Sequence, residues 1–94
     1  MYLTRITIET QAARRYSADR LHEELLRNAA DADRLQHVRI DVDGDAASVV
    51  FCLYVQARDK FQAGSVAEQL CRRTMASICR DEADWSVQST QVGP

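Results

Sequence analysis

The sequence predicts an α+β domain: a four-stranded antiparallel sheet of order 4-1-3-2 with two helices packed on one face. Three observations lead there. The stretch Ala47-Ser48-Val49-Val50-Phe51-Cys52-Leu53-Tyr54-Val55 carries no charge and is apolar on both strand faces, the pattern of a strand at the middle of a sheet rather than at its edge. Asp43-Gly44 lies between this stretch and an earlier alternating run, and such a pair signals a hairpin because glycine tolerates the positive φ of the primed turns. Periods of two and of 3.6 residues also succeed one another in the order βαββαβ. With short connections and right-handed crossovers, that order closes most economically with the first and third strands central. This is the arrangement of the ferredoxin-like sandwich, here a single domain over residues 1–94.

Each element has its own local reason. Tyr2 to Glu9 alternates, with Tyr2, Thr4, Ile6 and Ile8 on one face and Leu3, Arg5, Thr7 and Glu9 on the other, so it reads as a strand. Thr10 to Arg15 is expected to be a polar connection. Ser17 is placed to cap a helix by accepting from a free first-turn N–H, and Tyr16 with Leu21 fits a hydrophobic staple. Ala18, Leu21, Leu25, Leu26 and Ala29 form its apolar stripe, Glu23 and Arg27 form an i, i+4 pair, and the helix should end between Asn28 and Ala30. After a link over Asp31 to Arg34, Leu35 to Asp43 alternates again, with Val38, Ile40 and Val42 inward and His37, Arg39 and Asp41 outward.

In the third strand Val49, Phe51, Leu53 and Val55 should face the core, leaving Val50, Cys52 and Tyr54 on the second face. The second helix has two candidate starts, Asp59 with Gln62 and Ser65 with Glu68. Asp59 is preferred because it keeps Ala63, Val66, Ala67, Leu70, Cys71, Thr74, Met75 and Ile78 on one broad face. The cost is Gly64 within the helix, about 1 kcal/mol against alanine. Arg72, Arg73 and Arg80 fall toward its C-terminal half, where positive charge suits the helix dipole. Asp81 to Asp84 links to a last strand, Trp85 to Val92, whose Trp85 and Val87 share a face and whose later residues are polar, as on an edge strand.

Composition narrows the function classes. Ninety-four residues with a net charge of −2 give a chain that lacks the basic field of a general nucleic-acid or membrane binder. No apolar run approaches the roughly 18 residues of a membrane span, and Met1 to Arg5 lacks the pattern of a signal peptide, so a cytoplasmic protein is expected. The three cysteines, Cys52, Cys71 and Cys79, lack metal-ligand or redox spacing. Cys71 and Cys79 would be separated by ~12 Å of helix rise, too far to bridge, so all three read as reduced.

Little in the chain carries chemistry. Asp41, Asp43, Gly44 and Asp45 resemble the start of a calcium loop, but Ala46 and Cys52 stand where that motif needs glycine and glutamate. His22 and His37 lie on different elements and lack metal-ligand spacing. No metal or cofactor is expected. Arg72, Arg73 and Arg80 are candidate phosphate ligands and Trp85 a candidate stacking platform, each weighed against an ordinary surface or core role.

One catalytic alternative rests on His22, which lies early in the first helix near Arg14, Arg15 and Arg20 and can serve as general acid or base toward a phosphodiester. Met1-Tyr2-Leu3-Thr4-Arg5-Ile6 followed by Asp19-Arg20-Leu21-His22 resembles the opening of the N-terminal half of the CRISPR repeat-processing endoribonucleases. That resemblance covers about a quarter of the chain. It implies RNA as partner and metal-independent cleavage with His22 as the catalytic residue.

The leading expectation is a non-enzymatic interaction module. Its open sheet face would set Leu3, Val50, Cys52 and Tyr54 at the centre and Arg5, His37 and Arg39 around them, an apolar centre with a polar rim. The expected partner is a second copy of the chain, giving a homodimer, or another protein.

Overall fold

The third strand, β3 (Ser48–Val55), is flanked on both sides in the sheet. In the computed structural model, which describes residues 1–79 and 84–93, its inward side chains Val49, Phe51, Leu53 and Val55 are all buried. Fully burying one such side chain stabilises by about 1.5–3 kcal/mol, which is why this segment anchors the core. The expectations for Arg80 and for the first three residues of the link that begins at Asp81 concern residues outside the described set.

Around β3 the chain runs β1 (Tyr2–Thr10), α1 (Ala18–Asn28), β2 (Leu35–Asp43), β3, α2 (Lys60–Ile78) and β4 (Trp85–Gly93). The strands form one antiparallel sheet of order β2-β3-β1-β4, the predicted order read from the other edge. Leu21 and Leu25 of α1 join Ala67, Leu70, Cys71 and Met75 of α2 in one core with Ile6, Ile8, Val38 and the inward face of β3. Both helices thus cover the same side of the sheet, an arrangement compatible with the ferredoxin-like sandwich. None of the helices is long and apolar enough to cross a membrane, among the described residues.

The caps follow the sequence. Ser17 Oγ accepts from the Arg20 N–H at 3.2 Å and starts α1. Asp59 Oδ1 accepts from the Gln62 N–H at 2.8 Å and starts α2, while Gln62 Oε1 accepts from the Arg58 N–H at 2.7 Å. These bonds satisfy N–H groups that have no partner within the helix. Thr4, buried on β1, donates from Oγ1 to the Leu53 carbonyl at 3.0 Å, and Thr74 donates to Leu70 within α2.

Several expectations are corrected. Thr10 to Arg15 is not a simple polar link: Gln11–Arg14 forms a 3-10 turn, capped by Thr10 Oγ1 accepting from Ala12 N–H, with Ala12 and Ala13 buried. Leu26 is 52% exposed and lies outside the core. Arg27 pairs at 2.9 Å with Glu24, one residue further along the helix than the expected Glu23.

The β2–β3 hairpin forms, but its turn is longer than a two-residue loop. Asp43 pairs with Ser48, so Gly44 to Ala47 make the connection, and Ala47 is not part of the strand. Asp43 Oδ1 accepts from the N–H groups of Asp45 and Ala46, a side-chain turn that displaces the primed geometry. The left-handed position is Ala47, at φ 50, and Gly44 keeps a negative φ. Ala47 is held there by its burial and by the Thr10 N–H donating to its carbonyl at 2.7 Å.

Two bulges reset the alternation. In β2, Leu35 pairs with Val55 and His37 with Tyr54, leaving Gln36 as the extra residue. In β4, Val87 pairs with Ile8 and Ser89 with Thr7, leaving Gln88 as the extra residue. A bulge adds one residue to one strand and flips the parity beyond it. Trp85 and Val87 therefore face the helices as expected, but beyond the bulge Thr90 and Val92 face them too. Thr90 Oγ1 donates to Glu68 Oε1 at 2.8 Å, and Val92 lies against Gly64 of α2.

Candidate functional site

The helices leave the other side of the sheet open, and strand register lays that face out in four rows. His37, Tyr54, Leu3 and Gly93 form the first row, and Arg39, Cys52, Arg5 and Gln91 the second. Asp41, Val50, Thr7 and Ser89 form the third, and Asp43, Ser48, Glu9 and Ser86 the fourth. All seven expected interface residues (Leu3, Arg5, His37, Arg39, Val50, Cys52 and Tyr54) thus fall on this one face, in its first three rows.

The centre of the face is apolar. Leu3, Val50 and Cys52 are half-buried, and Tyr54 is 37% exposed although it sits on a central strand. The Tyr54 ring is tilted against the His37 ring, with centroids 6.0 Å apart. A tyrosine supplies a large contact area with a polar tip, which suits a surface that is sometimes covered.

Charge is segregated along the strands. Both arginines lie in the second row, whereas Asp41 lies in the third and Asp43 and Glu9 in the fourth. Arg39 Nε reaches Asp41 Oδ1 at 3.5 Å along β2, with both side chains largely exposed. Sequence reasoning placed Asp41 and Glu9 on the outward face but not in the candidate site. The signal that gathers them was available in the hairpin pairing, which sets Asp41 beside Val50 and Asp43 beside Ser48. The contribution of Gln91 and Ser89 depends on the β4 bulge, which no regular alternation reveals.

The cysteines differ by environment. Cys52 sits half-buried on the open face, whereas Cys71 and Cys79 are buried in the core. Burial raises both core thiols above their ordinary range, with a hydrogen bond to Thr10 partly opposing this at Cys79.

The remaining candidates are engaged within the fold. His22 is half-buried on α1 and lines a shallow hollow with His37, Leu26 and Leu35. Two of the three arginines near it in sequence turn elsewhere: Arg14 Nε donates to the Gly44 carbonyl at 3.0 Å, and the Arg20 guanidinium lies over the Tyr16 ring at 6.0 Å. Arg73 donates to Asp33 Oδ2 at 2.7 Å and thereby ties α2 to the turn after α1. Arg72 lies 5.9 Å from the Trp85 ring centroid and donates to Glu68 at 3.3 Å. Glu68 is held below its ordinary value chiefly by the Thr90 hydroxyl; burial opposes this, and the hydrogen bond and charge of Arg72 add to the lowering. Trp85 caps the α2–β4 end of the core, and its Nε1 has no hydrogen-bond partner among the described residues.

No family model matches the chain, and no curated protein matches it. Among solved structures it is similar to the de novo designed protein Foldit4, at 18% sequence identity and a TM-score of 0.44, over 99% of this chain and 96% of that one. That similarity carries no function across.

Proposed function

We propose that this chain is a small ferredoxin-like, non-enzymatic module that works by self-association through its open sheet face. The observation that supports this most directly is the contiguous patch of Leu3, Val50, Cys52 and Tyr54 on the two central strands, opposite the helices and rimmed by charge. Nothing in the core requires apolar residues there, because the inward face of each strand already supplies it. A patch with an apolar centre and a polar rim has the anatomy of a protein interface. A symmetric pair built from one self-complementary patch is the simplest closed assembly.

Tyr54→Glu tests the reading by setting a charge in the patch, where tyrosine is a frequent source of binding energy. Sedimentation velocity should show a wild-type dimer and a folded, monomeric variant. A monomeric wild type, or a variant that sediments as the wild type does, defeats it. The RNA-cleaving alternative would rest on His22. Arg14 and Arg20 are turned to Gly44 and Tyr16 rather than gathered beside it, so the open face is the better supported site.

A further inference from the structure

The open face carries a charge pattern that favours one of the two aligned ways of laying a second copy on it. Two copies meeting through the same sheet face are related by a twofold axis lying in the plane between them. If that axis runs along the strands, every row meets its own row with the strand order exchanged: Arg39 comes over the partner's Gln91 and Arg5 over the partner's Cys52, so four arginines crowd one pair of rows and the four carboxylates of Asp43 and Glu9 another. If it runs across the strands, the row order is reversed and each strand lies over its own copy. With the axis between the second and third rows, Arg39 comes opposite the partner's Asp41, and Cys52 opposite the partner's Val50. His37 then faces the partner's Asp43, and Arg5 stands one row from the partner's Glu9.

We propose that the chain forms a face-to-face dimer about a twofold axis running across the strands, with its register set by reciprocal Arg39–Asp41 pairs between protomers. This rests on the open face being a self-association surface, as proposed above. It adds the orientation and the residues that select it. Like charges juxtaposed across an interface are strongly disfavoured, and complementary ones fix register more than they add affinity.

Size supports this emphasis on register. Four strands ~4.8 Å apart and four rows ~6.8 Å apart give a face of about 500 Å² per protomer, so about 1,000 Å² in total, near the lower limit for a specific interface. So small a contact leaves little apolar area to hold a misaligned pair. Stacked sheets lie ~10 Å apart with strands within ~30° of alignment, a gap and offset that the long arginine side chains span. Arg39 and Asp41 are largely exposed in the single chain, so their mutual contact within β2 is worth little and exchanges readily for the contact between protomers.

The test is a cross-chain charge swap. Arg39→Asp and Asp41→Arg each place like charges opposite each other in their own dimers, but opposite charges when the two variants are mixed. Analytical ultracentrifugation should find each variant's dissociation constant raised at least about tenfold, and an equimolar mixture returned to within about threefold of wild type as a 1:1 heterodimer. Recovery in the mixture also shows that both variants are folded. A dimeric wild type with single variants that still dimerise, or with no recovery in the mixture, overturns this orientation while leaving the face as the interface. A monomeric wild type overturns the face reading, and this with it.

Discussion

Gly64 is a sharp test of how α2 sits on the edge of the sheet, because two effects of similar size oppose there. It lies inside α2 with a negative φ, so backbone conformation does not demand glycine. Helix propensity alone would make Gly64→Ala stabilising by about 1 kcal/mol. A Cβ built at that position, however, stands 3.1 Å from Val92 Cγ2 and 4.0 Å from Thr90 Cγ2. The first contact is a few tenths of an ångström too close, and forcing an extra methyl into a packed contact costs about 1–3 kcal/mol. Val92 is the penultimate residue of β4 and only half-buried, which places the cost toward the low end. Gly64→Ala should therefore lie between neutral and about 1 kcal/mol destabilising. In a Val92→Ala background the same change should stabilise by about 1 kcal/mol, a coupling of about 1 kcal/mol or more. Urea unfolding of the four proteins, with unchanged m-values, measures the cycle. If Gly64→Ala has the same effect in both backgrounds within ~0.3 kcal/mol, the close approach to Val92 is not what keeps glycine there, and the inward turn of Val92 beyond the bulge is wrong.

Two further outcomes can be measured alongside it. Glu68 is held below its ordinary value, so its contribution to stability is complete above the unfolded carboxylate pKa, near 4.3. It is lost as pH falls through the depressed folded value. Thr90→Val removes the largest cause and should flatten the fall of stability with acid below about pH 4.5; a slope identical to wild type in urea melts at pH 3 to 5 would contradict it. Among the three thiols Cys52 alone should react quickly with N-ethylmaleimide in the native protein, since burial holds Cys71 and Cys79 protonated and covered. Its labelling rate should fall as protein concentration rises through the dimer range, and a rate independent of concentration would argue against coverage of the open face.

The sheet was legible because its evidence is periodic. Alternation from Leu35 to Asp43 and the unbroken apolar run up to Val55 depend only on which side of a pleat each residue faces, and the inward set of β3 is the one its parity implies. The failures share a cause, a local feature that interrupts a period. Gly44 drew the expectation of a positive φ, but the Asp43 carboxylate captures two N–H groups of the turn and moves the left-handed residue to Ala47. The bulges at Gln36 and Gln88 shift parity within strands that otherwise alternate. For β4 a trace existed in the sequence: Trp85, Val87, Thr90 and Val92 are spaced two, three and two, which a single extra residue explains. Arg73 reads as a solvated helix arginine because its carboxylate, Asp33, is 40 positions away and only the fold brings it near. At the candidate site the apolar patch was legible, whereas the separation of charge along it needed the register of three strands at once.

That separation bears on what can cover the face. Arg5, Arg39, Glu9, Asp41 and Asp43 sum to −1, close to the net charge of −2 of the whole chain, so neither total reveals a preference for any partner. A face of one sign would repel its own copy and attract a partner of the opposite sign. A face with its signs divided between two ends behaves differently: it repels a copy laid row on row and attracts a copy laid in reverse. The apolar strip of Leu3, Cys52, Val50 and Tyr54 crosses the boundary between the two ends, so reversing the rows lays the Cys52 and Val50 rows of the two copies over each other while bringing arginine to aspartate. A heterologous partner could match the same surface only by presenting the same divided pattern with its ends exchanged, and a second copy of this chain already meets that requirement.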